Sequence, residues 1–172
     1  MDPRALFVTG RYDRAMSKPS LPEHDAFLCA LGALHARPDA YDAALAATLA
    51  HFHAESGTIH RLEGGLLHLK AHTRGMPPPV LDVIRVIPIG KGMAGLAVER
   101  RAPVTACNLQ TDASGDVRPG ARQTGLRGSI VVPLLRGDEP VGTLGIGNQT
   151  EREFRPDEVE LLLSAGRVLA AW

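Results

Sequence analysis

Apolar and polar positions along this chain change period several times, and each change marks an element. From Ser20 onward Phe27, Leu31 and Leu34 recur three or four residues apart, the spacing of a helix face, and Pro38 closes the run. Ser20 as N-cap with Glu23 three residues later is a capping box, and Pro22 sits in the first turn, where its missing N–H does no harm. Asp39 is expected to cap a second helix, with Asp42 near its positive end and Leu45, Leu49 and Phe52 as its inward stripe. Gly57 is expected to end it. The pattern then shortens to that of strands. Residues 58–63 and 66–73 form a hairpin around Gly64-Gly65. A two-residue turn sets Leu62 opposite Leu67 and His60 opposite Leu69, with Arg61 and His68 on the other face.

After Pro77-Pro78-Pro79, which cannot join a central strand, residues 75–82 are expected to be a loop or a short helix. Alternation from Ile84 through Val86 predicts a strand that runs into Ile87-Pro88-Ile89-Gly90-Lys91-Gly92. Gly90 and Gly92 tolerate positive φ, so the chain can turn sharply there. Met93, Leu96 and Ala97 then share one face of a short helix over 93–101. Its N-terminus presents free N–H groups, which makes a ligand mouth. Gly90, Gly92 and Gly95 match G-x-G-x-x-G, yet no acidic residue closes a parallel strand about 20 residues on, so the dinucleotide fingerprint is rejected.

Residues 111–127 are the longest polar stretch in the body of the chain, and a loop of that length inside a compact domain is often a lid or a binding loop. Strands over 129–136 and 141–148 follow, joined by a hairpin turn at residues 137–140. Asp157 and Glu158 favour the start of a last helix. That helix has two apolar stripes, one through Val159, Leu162, Leu163, Gly166 and Leu169, the other through Leu161, Ala165, Val168 and Trp172. One can face the sheet. The second predicts an intermolecular contact, a homodimer through the first and last helices.

Composition narrows the classes. With 172 residues the chain is one domain with an arm: residues 1–19 are expected to be flexible and 20–172 to form the folded unit. Nineteen basic and 19 acidic residues give no net charge, which argues against nucleic acid as a partner. No apolar run approaches the roughly 18 residues of a membrane helix, and no secretory leader is recognised, so no membrane partner and a cytoplasmic location are expected. Two cysteines, Cys29 and Cys107, make no disulfide framework and are expected to be small buried hydrophobes.

Seven histidines raise a metal centre, but no spacing among them suits one. His51 and His53 are expected on the surface near a helix C-terminus, and His60 either faces the ligand side of the sheet or is a hydrogen-bonded core residue. No metal and no cofactor are expected. Lys91, Arg118, Arg122 and Arg127 could line one mouth beside Gly92, suited to an anionic ligand; Asp112, Asp116 and solvent could equally neutralise them. Arg118 and Arg122 share a face if their loop coils.

Residues Ile87 through Val98 resemble a GAF domain, a small sensory α/β module. The likeness continues through 104–108 with Asp112 beyond it, Gly128–Leu134, Val141–Ile146 and Phe154-Arg155-Pro156-Asp157-Glu158. It covers roughly 21–172. It implies an α+β fold: an antiparallel sheet of five or six strands, terminal helices on one face, a short helix and loops over a pocket on the other. The stretch 87–98 is also similar to free methionine-(R)-sulfoxide reductases of this fold. The cysteines that the resemblance implies fall near Ile84, at Ala94 and near Arg122, none of which is cysteine. The cyclic-nucleotide pattern is broken, since Gln149 follows Asn148 where a lysine is needed. No cysteine matches a bilin attachment point.

The resulting expectation is a non-enzymatic sensory module that binds an unidentified small molecule and acts through dimerisation and a separate output protein. Its expected ligand residues are His60, Lys91, Gly92, Met93, Asp112, Arg118, Arg122 and Arg127. The alternatives are a structural dimerisation module with a vestigial pocket and, disfavoured for want of cysteines, a free methionine sulfoxide reductase.

Overall fold

The computed structural model describes residues 21–172; the expected arm and the Ser20 cap lie outside the described residues. The elements run α1 (Leu21–Ala33), a single 3-10 turn (Leu34–Ala36), α2 (Ala40–Phe52), β1 (Ser56–Glu63), β2 (Leu66–His72), α3 (Pro78–Ile84), β3 (Val86–Pro88), α4 (Gly92–Arg100), β4 (Val104–Ala106), α5 (Pro119–Arg122), β5 (Ser129–Arg136), β6 (Glu139–Gly147) and α6 (Pro156–Ala170). The six strands form one sheet in the order β3-β2-β1-β6-β5-β4, antiparallel at every pairing. The α+β antiparallel architecture is therefore as expected.

The first hairpin has the register read from its turn: His60 opposes Leu69, Arg61 opposes His68 and Leu62 opposes Leu67. Side chains of a strand alternate between faces, so each strand supplies two environments. Ile59, Ile130, Val132, Leu134, Leu144 and Ile146 point to one face, where α1, α2 and α6 cover them with Phe27, Leu31, Leu45, Phe52, Leu162 and Leu169. Thr58, His60, Ser129 and Val131 belong to the other face, under α3, α4 and the 107–128 segment.

Four local expectations are corrected. Gly57 does not end α2; that helix stops at Phe52, with His53 left-handed at φ 50°. Gly57 is instead within β1, where a Cβ would stand 2.7 Å from the Gly145 carbonyl oxygen and 2.9 Å from Leu45 Cδ1, so glycine is there for close approach. Asp39 occupies the N-cap position of α2 without capping it, because its carboxylate is taken by the Arg37 guanidinium at 2.8 and 2.9 Å. Ile84 ends α3 rather than opening a strand, and β3 begins at Val86. His51 is not a plain surface residue: it is half-buried and stacks on Phe27 at 4.2 Å.

The cysteines are corrected too, since both Cys29 and Cys107 are exposed. So is the second stripe of α6. Leu161 is buried in the helix-side core, Val168 approaches α1 at Gly32, and Trp172 stacks on His35 and lies beside Tyr41, ring centroids 5.4 and 5.6 Å apart. The chain covers this stripe itself, which removes the reason for expecting a partner there. Arg136 holds the end of α6 with two hydrogen bonds to the Ala170 carbonyl, and Arg61 donates to the Leu169 and Trp172 carbonyls. Cations at a helix C-terminus complement its dipole.

Candidate ligand cavity

The glycine turn after β3 is built as its residues require. Gly90 and Gly92 have φ 78° and 61°, and Gly95 lies against the Pro88 carbonyl so closely that any Cβ would collide. The Gly90 amide donates to the Gly95 carbonyl at 2.9 Å, which locks strand, turn and helix together. Lys91 is extended at the N-cap of α4 and gives no side-chain cap. Among the described residues the amides of Gly92, Met93 and Ala94 find no carbonyl partner. Three donors and the positive end of the helix dipole are thus available at one spot.

That spot opens on a cavity of about 160 Å³. Its floor is the sheet, through Thr58, His60, Ser129, Val131 and Gly145; α3 walls it with Val80, Val83 and Ile84; α4 contributes Gly92, Met93 and Ala94; the 107–128 segment closes it with Leu109, Arg118, Ala121 and Leu126. Most of the lining is apolar. Of the expected ligand residues, His60, Lys91, Gly92, Met93 and Arg118 come together here.

Asp112, Arg122 and Arg127 are not among the lining residues. Asp112 turns its carboxylate back to the Ser114 amide and hydroxyl, and its carbonyl takes a hydrogen bond from Arg122 at 3.1 Å. Arg127 is exposed, and among the described residues only its backbone is engaged, with Asn148 and Leu109 at 2.8 Å each. Arg118 and Arg122 do not share a face, because α5 spans only four residues and Arg118 precedes it in extended backbone. Arg118 lies instead against Gly92, where a Cβ would meet its Cδ at 2.9 Å. Asp116 is fully occupied by Arg100, at 2.7 and 2.9 Å, which holds the Asp116 carboxyl below its usual range. Lys91 and Arg118 form no ion pair among the described residues and remain exposed at the mouth.

His60 is both a core residue and a cavity-lining one. It is 1 % exposed, and its Nε2 bonds the Ile84 carbonyl at 2.8 Å. A carbonyl only accepts, so Nε2 carries the proton and Nδ1 is a bare acceptor. Burial pulls the imidazole pKa below its ordinary value, and the bond to Ile84 offsets only part of that. Nδ1 is buried without a partner, as is the Thr143 hydroxyl, and Thr143 is the residue directly opposite His60 on β6.

The apolar wall was missed by the sequence reading. Val80, Val83 and Ile84 recur at i, i+3 and i+4 behind a proline that can open a helix, a signal that was present. Leu109 precedes the polar stretch and Leu126 lies near its end, and the two pack in one cluster while the Gln110 side chain donates to the carbonyls of Arg122 and Leu126. Only the folded chain shows that pairing.

Comparison with known proteins decides the family. The model of the family described as GAF domain matches residues 35–171. The chain belongs to the GAF domain family. Solved GAF structures superpose on it. The GAF domain of an Acinetobacter phosphoenolpyruvate-protein phosphotransferase is 16% identical, with 89% of this chain and 93% of that chain covered and a TM-score of 0.72. The free methionine-R-sulfoxide reductase of Neisseria meningitidis, in complex with its substrate, is 17% identical over 90% of each chain, with a TM-score of 0.69. The nlh2 GAF domain of A. aeolicus, in an inactive state, is 16% identical over 86% of this chain and 93% of that one, with a TM-score of 0.65. At such identities the likeness shows the fold alone. No curated protein matches in sequence.

Neither cysteine of this GAF domain reaches the cavity. Cys29 is on α1, across the sheet, and Cys107 follows β4 with its side chain exposed. Ala94, where the reductase likeness implies a cysteine, and Ile84, near which it implies another, do line it. Among the described residues no three His, Cys, Asp or Glu side chains gather as a metal site. No helix there is long and apolar enough to cross a membrane.

Proposed function

We propose that this GAF domain is a sensory module that binds a small molecule in the cavity between its sheet, α3, α4 and α5, without turning it over. The observation that carries this reading is the cavity itself: an open, largely apolar space with three free amides at its edge. A vestigial pocket would be filled by its own side chains, so the open space favours binding over a purely structural role. Binding without turnover is favoured because a sulfoxide reductase needs an attacking thiolate and a resolving thiol, and both thiols lie outside the lining. The likeness to the Acinetobacter and A. aeolicus GAF domains supports a regulatory role; the likeness to the Neisseria reductase keeps the enzyme as the reading to beat.

The output is proposed to run through the helical face of the sheet to a second copy of the chain and a separate output protein. β1, β5 and β6 present one face to the cavity and the other to α1, α2 and α6, so a shift of those strands is felt by both. A homodimer through α1 and α6 would use the face they leave exposed, with Ala26, Cys29 and Ala30 on α1 and Glu160 and Arg167 on α6.

A thermal-stability screen tests the binding step. A ligand at about a hundred times its Kd raises stability by about 2.7 kcal/mol through mass action. The expected result is a concentration-dependent rise with at least one compound, abolished by Ala94→Phe, which fills the cavity. Stabilisation that survives Ala94→Phe would place the ligand elsewhere, and turnover of free methionine sulfoxide by the purified protein would replace this reading with the enzymatic one.

A further inference from the structure

The cavity has a polarity along its length. At the buried end stand His60, Val80, Ile87 and Leu109, all nearly inaccessible. At the exposed end stand Lys91 and Arg118, beside the free amides of Gly92, Met93 and Ala94. Polar groups of the interior are largely spent within the protein. Ser129 Oγ donates to the Ile146 carbonyl, Thr124 Oγ1 donates to Ala121 and accepts from Leu126, and His60 Nε2 serves Ile84. His60 is neutral near pH 7, because burial holds its pKa down.

An ionised group pushed to the buried end would lose its water and gain no counter-charge, which costs far more than a small ligand's binding returns. At the mouth the same group stays partly hydrated and meets two unpaired cations and a helix N-terminus. Electrostatics therefore fixes an orientation as well as a ligand type.

Resting on the proposed binding role, we propose that the ligand is a small amphipathic anion. Its apolar body enters the cavity, and a single carboxylate- or phosphate-type head stays at the mouth on the amides of Gly92, Met93 and Ala94, between Lys91 and Arg118. A cavity of 160 Å³ sets the size of the body. An apolar cavity of about 150 Å³ takes up benzene, so the body has about six heavy atoms. The expected ligand is thus more apolar than its polar mouth suggests.

Four probes with one shared ring test this: toluene, benzoate, phenyl phosphate and benzylammonium, titrated into the full chain and followed through its amide resonances. Benzoate or phenyl phosphate should bind about tenfold more tightly than benzylammonium, the sum expected of a helix end and two exposed cations. The shifts should centre on Gly92, Met93 and Ala94, and the preference should shrink as salt is raised. Whichever anion binds more tightly names the head group. Lys91→Gln with Arg118→Gln, both exposed and so compatible with folding, should cut the anion's affinity about tenfold. If toluene binds and neither anion outcompetes benzylammonium, the amphipathic anion is wrong and the binding role stands. An anion whose affinity is untouched in the double variant also overturns it. If none of the four perturbs the cavity, the amphipathic anion is wrong, and the binding role is decided separately by the stability screen.

Discussion

Leu161 separates two accounts of the last helix. As part of an uncovered stripe it would belong to a dimer interface; in the structure it is 7 % exposed and packed in the core that α1, α2 and α6 share over the sheet. Leu161→Ala deletes three buried carbons from that core. Leucine-to-alanine changes of this kind cost about 2–5 kcal/mol, rising with the volume of the void left behind. α1 buries only Phe27 and Leu31 of its own residues, so it can settle partly into the space, and a loss of about 3 kcal/mol is expected. With a urea slope of about 2 kcal/mol/M, the midpoint falls by about 1.5 M. Folding by far-UV circular dichroism should show this shift equally at two widely separated protein concentrations, because the contact is intramolecular. A midpoint that stays put while the sedimenting species changes from dimer to monomer would refute the reasoning. It would return Leu161 to an interface.

Three further outcomes follow from the same structure. Thr143→Val removes a buried hydroxyl that has no partner, so stability should rise by about 1 kcal/mol in urea denaturation; a loss would mean that the hydroxyl donates to His60 Nδ1. His51 and His60 both have pKa values lowered by burial, so the unfolded chain takes up protons first as pH falls: their stabilisation is complete above the unfolded value of about 6.5 and is lost as pH drops through their folded values. Thermal melts should fall as pH drops below about 6.5, and His51→Phe, which keeps the stack on Phe27, should flatten that slope; an unchanged slope would remove His51 from the account. Cys29→Ser with Cys107→Ser should leave ligand binding unaltered in the same titrations, since both thiols are outside the cavity; sulfoxide turnover that disappears with Cys107 would contradict this.

What this sequence determined by itself is local. The register of the first hairpin follows from a two-residue glycine turn and the two-residue period of strands, and β1 and β2 pair accordingly. The turn at Gly90 and Gly92 and the helix after it follow from backbone freedom at glycine and one apolar face, and Lys91, Gly92 and Met93, singled out on that ground, do line the cavity. Tertiary structure decided what depends on residues far apart in the chain. Gly57 reads as a helix stop until Gly145 and Leu45 are brought against it. Arg118, Arg122 and Arg127 are equivalent as letters, and only the fold of their loop sends Arg118 to the mouth, ties Arg122 to Asp112 and leaves Arg127 in solvent. The second stripe of α6 looked vacant because periodicity shows that a face is apolar without showing what covers it; α1, the 3-10 turn and α2, more than a hundred residues earlier, do. The cavity is the extreme case. It is a volume between four segments that share no local pattern, so its apolar interior and charged edge exist only once long-range packing has placed them.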